Sequence, residues 1–227
     1  MTTHGEKPCD CKAESVVTRY PKMTTLFMKS KNFFKRGLKM KVVDPIRDTD
    51  DIERIKDFLR RKNERDYVLF LFGIYTGLRV SDIIPIKVKQ IIEDKIEIRE
   101  KKTGKIRRFP INQQLRNALN QYIDNKQLKE YDFLFPSRKR ENGKGVKICH
   151  ISRTQVYKIL KEAGNKCGIE NIGTHSMRKT FGYHHYKKNG DVAILQRIFN
   201  HSTPEITLGY IGYTQDELDQ SILTFDY

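Results

Sequence analysis

The 227-residue chain has no tryptophan, only four cysteines and seven prolines, and far fewer acidic than basic residues. It has no apolar run long enough to cross a bilayer, so no membrane-spanning helix is expected. Its start, Met1-Thr2-Thr3-His4-Gly5, lacks the apolar stretch of a secretory signal. The expected location is therefore the cytoplasm, where Cys9, Cys11, Cys149 and Cys167 read as reduced thiols rather than a disulfide framework. Cys9-Asp10-Cys11 lies near His4, but no second Cys/His pair follows at zinc-site spacing, so no metal and no cofactor are expected.

What the chain does have is positive charge. Lys and Arg number 44 against 28 Asp and Glu, a formal net charge of +16 and a pI near 9.6. Such an excess repels itself unless a polyanion is the partner. Nucleic acid is the leading reading and an anionic membrane surface the second; a merely basic soluble protein is the plain alternative. With 37% hydrophobic residues, the length fits one domain with an appendage.

Residues 1–44 read as a basic N-terminal extension in which Tyr20, Phe27, Phe33 and Phe34 are interleaved with lysines, and residues 23–38 can form a helix. From Asp48 onward the pattern becomes regular. Asp48 to Asp51 offer N-caps for a helix with Ile52, Ile55, Phe58 and Leu59 on one face. Residues 63–76 are apolar nearly all round, the signature of a core helix, and Gly77 ends it. Ser81-Asp82 is expected to cap a short successor.

Around residues 90–111 the period changes to alternation, with Ile96 and Ile98 before a Thr103-Gly104 turn and Ile106 to Ile111 after it, which reads as a small antiparallel sheet. Asn112 caps a helix carrying Leu115, Leu119, Tyr122 and Ile123. Residues 136–148 form a basic glycine-containing loop. Ser152 then caps a helix with Val156, Ile159, Leu160 and Ala163 inside and Arg153, Lys158, Lys161 and Lys166 outside. Further helices are expected at about 174–188, 191–199, 204–210 and 215–224, with Pro204 at the first position of one and a Thr214/Glu217 capping box at the last. No internal repeat is visible. The expected fold is mainly α with a small antiparallel β-sheet, an α+β arrangement.

Four clusters carry chemistry. In Thr76-Gly77-Leu78-Arg79-Val80-Ser81-Asp82, Arg79 follows a buried helix, and its guanidinium fork matches two phosphate oxygens; pairing with Asp82 is the structural alternative. In Lys101-Lys102-Thr103-Gly104-Lys105, a lysine at a hairpin tip can reach a DNA groove or act as a general acid; a solvated basic turn is the default. In His175-Ser176-Met177-Arg178, three-residue spacing puts an imidazole and a guanidinium on one helix face, a pattern that also arises by chance. In the fourth, His201 precedes a helix start and Tyr210 lies nine positions on. Among eleven tyrosines, Tyr210 could equally be a core aromatic. A phenol with a pKa near 10 is a poor nucleophile unless cations stabilise the charge of the pentavalent transition state.

Taken in order, Thr-Gly-Leu-Arg79-x-Ser-Asp, Lys102-Thr-Gly-Lys, Thr-His175-Ser-x-Arg178-Lys-Thr, Asn-His201-Ser-Thr-Pro and Tyr210 resemble the tyrosine recombinase (phage integrase) family. The resemblance covers residues 45–225, the family's catalytic domain, and is close to integrases of mobile elements. It implies that Tyr210 attacks the scissile phosphate of double-stranded DNA, leaving a 3′-phosphotyrosine and a free 5′-hydroxyl. Arg79 and Arg178 would hold the non-bridging oxygens, Lys102 would protonate the departing oxygen, His175 would assist proton transfer at the tyrosine and His201 would bond the phosphate. Lys102 is preferred over Lys101 and Lys105 because it directly precedes Thr-Gly. Tyr213 is a rival nucleophile three residues further from His201.

A covalent intermediate conserves bond energy, so neither ATP nor a metal ion is implied. Most members carry an N-terminal core-binding domain that residues 1–44 are too short to hold; the expected organisation is this extension followed by a catalytic domain over 45–227. The resemblance further implies a tetramer on DNA, a monomer without it, accessory DNA-binding proteins, and a last helix that docks on a neighbouring protomer. Two alternatives share the residues: relaxation of DNA in the manner of a type IB topoisomerase, and a non-enzymatic DNA-binding relic of an integrase.

Overall fold

The computed structural model describes residues 43–92, 95–99, 104, 106–137, 149–213 and 222–224. The expectations for residues 1–42, for Lys101, Lys102 and Lys105, for most of the loop 136–148 and for most of the helix 215–224 fall outside the described residues.

Helix α1 (Thr49–Lys62) starts where the Asp48 side chain accepts from the Asp50 N–H, with Asp50 and Asp51 in its first turn and Arg60, Arg61 and Lys62 in its last. Both charge groups complement the helix dipole. It buries Ile52, Ile55 and Leu59 along one stripe. Asn63 closes α1 and, through a side chain that accepts from the Asp66 N–H, opens α2 (Glu64–Thr76). Helix α2 is the axis of the fold: from Val68 to Ile74 every residue is buried. Its buried Arg65 forks onto Asp66 and donates to the Pro136 carbonyl at 2.6 Å, so the two charges near its start are paired.

Gly77 ends α2 in the left-handed conformation, φ 62°, and a Cβ there would meet the Phe181 ring. Extended Leu78 and Arg79 lead into α3 (Val80–Ile83). Arg79, and not Ser81 or Asp82, occupies the N-cap position, and both expected caps lie within the helix. The early restart has a local cause: after the left-handed Gly77, the Asp82 and Ile83 N–H groups close back onto the Arg79 carbonyl at 2.8 and 3.1 Å.

A three-stranded antiparallel sheet follows, in the order β1 (Ile91–Ile92), β2 (Lys95–Arg99), β3 (Ile106–Pro110). Its register pairs Ile96 with Phe109 and Arg99 with Ile106, so the inward faces of Ile96, Ile98 and Phe109 join the core. Helix α4 (Gln113–Lys126) is capped by Asn112, and α5 (Arg153–Cys167) by Ser152, each through its side-chain oxygen. Helix α6 (Ser176–Asn189) packs along α2, and α7 (Val192–Phe199) and α8 (Pro204–Ile211) pack on α6 and on each other. Among the described residues the fold is thus mainly α with one small sheet, as the patterning implies.

Two apolar clusters organise these elements. The large one gathers α1 to α6 and the sheet around α2; the small one has Leu195, Phe199 and Ile211 at its centre, with Phe181, Leu208, Tyr210 and Tyr213 packed against it. Gly182 of α6 permits the close approach of α7 and α8, because a Cβ would stand 2.6 Å from Ile211 and 2.8 Å from Phe199. Gly182→Ala should therefore cost about 1–3 kcal/mol by overpacking, read as a lower unfolding midpoint in urea, whereas alanine at open Gly209 should cost well under 1 kcal/mol.

Candidate active site

The structure draws Arg79, His175, Arg178, His201 and Tyr210 together from four parts of the chain, the turn after α2, the two ends of the first turn of α6, the turn before α8, and α8 itself. Lys102 lies outside the described residues. Arg178 is 4% exposed and projects from α6 between the ends of two other helices. One of its terminal nitrogens donates to the Gly77 carbonyl at 2.7 Å and the other to the Phe199 carbonyl at 2.9 Å. Its guanidinium carbon lies 4.2 Å from the Phe199 ring centre. Both carbonyls belong to helix ends whose last oxygens lack intrahelical donors, so the arginine caps two helices at once. Burial pushes its pKa down to about 10, with Tyr210 opposing that shift and the neighbouring Arg79 adding to it.

Tyr210 is half-buried, its hydroxyl 3.1 Å from His175 Nδ1. Its ring packs edge-on against His175, His201 and Phe199, at centroid distances of 6.4, 5.2 and 5.6 Å. The Lys179 ammonium stands 5.4 Å from the same ring centre. Burial raises the phenol's pKa, and Arg178 and Arg79 pull it back down. His175 shifts the other way: burial first, then the positive charges of Arg153, Arg178, Lys179 and Arg79, lower its pKa below 6.5. At neutral pH the imidazole is therefore uncharged, and in the tautomer protonated at Nε2 its Nδ1 accepts a hydrogen bond from the phenol. His201 is held by backbone and side chain: its N–H donates to the Gln196 carbonyl at 3.1 Å, and its Nδ1 lies 3.1 Å from the buried Thr207 hydroxyl. That hydroxyl in turn donates to the Thr203 carbonyl.

Arg79, Arg153, His175 and Arg178 line a cavity of about 130 Å³ beside the phenol. The motif reading gives no role to Arg153, Thr207, Gln196 or Lys179. Thr207 had a local signal, since it sits four residues after the Thr203 cap on the helix that carries Tyr210. Arg153 had none, because only the tertiary fold brings the start of α5 to the cavity. Tyr213, the rival nucleophile, packs edge-on against Tyr186 with centroids 4.8 Å apart. Tyr210, not Tyr213, makes the hydrogen bond to His175.

The profile of the phage integrase family matches residues 47–217. The chain belongs to that family. A probable integrase/recombinase of Bacillus subtilis, YoeC, is 46% identical over 178 residues, covering 78% of this chain and 93% of its own. The tyrosine recombinase XerA of Pyrococcus furiosus is 27% identical over 76% of this chain, but the match spans only 59% of that protein. In three dimensions the XerA recombinase superposes with a TM-score of 0.66 at 22% identity, over 81% of this chain and 67% of that one. The XerH site-specific recombinase, in a post-cleavage complex with its difH substrate, gives 0.63 at 18% identity, over 81% and 53%. These structural likenesses establish a tyrosine recombinase catalytic-domain fold. Family membership makes the chain a tyrosine-type DNA strand-transferase of site-specific recombination, and neither the topoisomerase nor the relic alternative is favoured.

Arg178→Ala should destabilise the fold by about 3 kcal/mol, because two buried carbonyls lose their donor. Arg178→Lys should lose nearly as much, since one ammonium cannot span both. Equal urea midpoints for Arg178→Lys and the wild type would remove the bridging role.

Proposed function

We propose that Tyr210 is the nucleophile of this recombinase and that the residues around it act as a metal-independent phosphoryl-transfer site on double-stranded DNA. The observation that carries this reading is the 3.1 Å contact between the Tyr210 hydroxyl and His175, beside a cavity that Arg79 and Arg178 share. Tyr210 Oη attacks phosphorus in line as its proton passes to His175 Nδ1. The bond to the 5′-oxygen breaks, leaving a 3′-phosphotyrosine and a 5′-hydroxyl whose proton comes from Lys102. Arg79 and Arg178 stabilise the charge on the non-bridging oxygens, and His201, oriented by Thr207, bonds the same phosphate. Rejoining reverses these steps with a different 5′-hydroxyl, so the energy of the broken bond is carried in the phosphotyrosine.

The DNA substrate also fits the +16 charge of the whole chain and supports a cytoplasmic location at the nucleoid. The resemblance to integrases supports a role in the movement of a mobile element. Among the described residues no helix is long and apolar enough to cross a membrane. We assign residues 45–227 to the catalytic domain and 1–44 to a basic extension, and the active form to a tetramer on DNA that assembles from monomers with accessory DNA-binding proteins. The exposed side chains of Ile222 and Leu223 support protomer contacts near the C-terminus.

Covalent trapping tests the chemistry. On duplex DNA from the sequences flanking the gene, nicked near the cleavage point, the wild type should form a protein–DNA adduct that Tyr210→Phe does not. An adduct that survives in Tyr210→Phe and disappears in Tyr213→Phe would move the nucleophile. Arg79→Ala should slow adduct formation 100-fold or more. The pH profile checks the base. Because His175 has a lowered pKa, its lone pair is available above that value and lost below it. At sub-saturating DNA, where the profile reports the free enzyme, adduct formation should therefore fall on the acid side with a midpoint below 6.5, and a limb centred well above 6.5 under that condition would exclude His175 as the acceptor.

A further inference from the structure

Arg153 is the first residue of α5, and its sequence pattern assigns it to the helix's solvent face together with Lys158, Lys161 and Lys166. In the fold it lines the cavity of about 130 Å³ with Arg79, Ser81, Thr174, Arg178 and His175, whose Nδ1 contacts the Tyr210 hydroxyl. Three guanidinium-bearing residues thus converge on one space, and among the described residues no carboxylate lines it. Like charges so placed repel, and an anion between them removes that penalty. The volume of about 130 Å³ is enough for one phosphate group. We propose that Arg153 is a third phosphate-binding guanidinium of this site, closing on the scissile phosphodiester from the open side while Arg79 and Arg178 hold it from within. The inference rests on the function proposed above.

Two further observations support it. The Ser152 side chain caps α5 by accepting from the Gln155 N–H, leaving the N–H groups of Arg153 and Thr154 and the positive end of a 15-residue helix at the same place. The groups facing His175 are Arg79, Arg153, Arg178, Lys179 and Tyr210. Among the positive ones, Arg153 depresses the proton affinity of His175 most strongly, which places its charge close to the imidazole. Arg178 is held by two backbone carbonyls, whereas Arg153 is exposed. The inner guanidinium is fixed before substrate arrives, and the outer one closes when the phosphate enters.

The test is an NMR titration of the His175 imidazole in the full chain with inorganic phosphate, comparing wild type, Arg153→Ala and Arg153→Lys. The wild type should show a saturable shift. Arg153→Ala should bind phosphate about ten-fold more weakly, less than the 100-fold expected for a buried donor, and Arg153→Lys should fall between. Without phosphate, the His175 titration midpoint should rise in Arg153→Ala and return toward wild type in Arg153→Lys, a response that a purely structural role would not produce. Unchanged affinity and midpoint in Arg153→Ala, or no phosphate binding by the wild type, would overturn the proposal. Adduct formation separates it from the broader reading. Phosphate binding that depends on Arg153, without any wild-type adduct, retains the binding residue and rejects the strand-transfer chemistry. Equal adduct rates in wild type and Arg153→Ala retain the chemistry and reject Arg153.

Discussion

A buried guanidinium joins the two apolar clusters of this fold. Arg178 donates to the last turn of α2 through the Gly77 carbonyl and to the last turn of α7 through the Phe199 carbonyl. The first helix is the axis of the large core; the second belongs to the small core against which Tyr210 packs. A buried charge is tolerated only when its hydrogen bonds are satisfied. Here two of the partners are neutral backbone carbonyls, and the Asp82 carboxylate nearby favours the charged form. Two of its five donors set the relative positions of α2, α6 and α7, and the rest remain for the phosphate and the phenol. The same side chain is thus a structural clamp and, in the proposed reaction, an anion receptor, and the distance between Arg79 and Tyr210 depends on it.

The positive charges around the phenol act on its neighbours in opposite directions. They lower the pKa of the phenol against its burial and also lower that of His175, together with burial. Proton transfer becomes better matched from the tyrosine side and worse matched from the histidine side. What remains favourable is the protonation state itself: at neutral pH the tyrosine keeps its proton and the histidine has a lone pair to accept it. A phosphodiester entering the cavity adds negative charge, which raises the proton affinity of His175 at the moment it is needed as a base. In the proposed reaction substrate binding therefore completes the base, and in its absence the phenol stays protonated.

Local rules carried most of the fold, and tertiary geometry accounts for what they missed. Asp48, Asn112, Ser152 and Thr203 were legible as caps because the side-chain oxygen of each reaches an N–H two or three residues on. The alternation around Ile96 and Ile98 gave the sheet, and the all-round apolarity of residues 63–76 gave the central helix. Ser81 and Asp82 were misplaced because Gly77 restarts the chain two residues earlier than cap chemistry alone implies. At the site, Arg79, His175, Arg178, His201 and Tyr210 were found through short motifs whose spacing survives in sequence. Arg153 was hidden because it reaches the cavity from a helix 22 residues away from His175 in the chain, and its own neighbours read as an ordinary basic face. Thr207 was hidden because a hydroxyl inside a helix is usually bonded to a carbonyl one turn back, as this one also is.

The small core explains why so many ties converge on α7 and α8. Three fully buried side chains, Leu195, Phe199 and Ile211, cannot by themselves hold two eight-residue helices. The shortfall is met from outside. Arg178 holds the Phe199 carbonyl, Arg107 of β3 donates to the Ile198 carbonyl at 3.2 Å, and Arg47 donates to the Gly212 carbonyl at 2.7 Å. All three are arginines on carbonyls at or just beyond a helix C-terminus, where orphan acceptors and the negative end of the dipole favour a cation. The pair of helices that carries Tyr210, the proposed nucleophile, is thus fixed by polar ties as well as by apolar burial. Polar ties to backbone can be exchanged for water at lower cost than a packed core can be opened. Among the described elements, α7 and α8 are then the ones that can separate from the body while the α2 core stays intact. Such a separation would remove Tyr210 from Arg79 and His175 together, so the reactive geometry exists only while the arginine ties are closed.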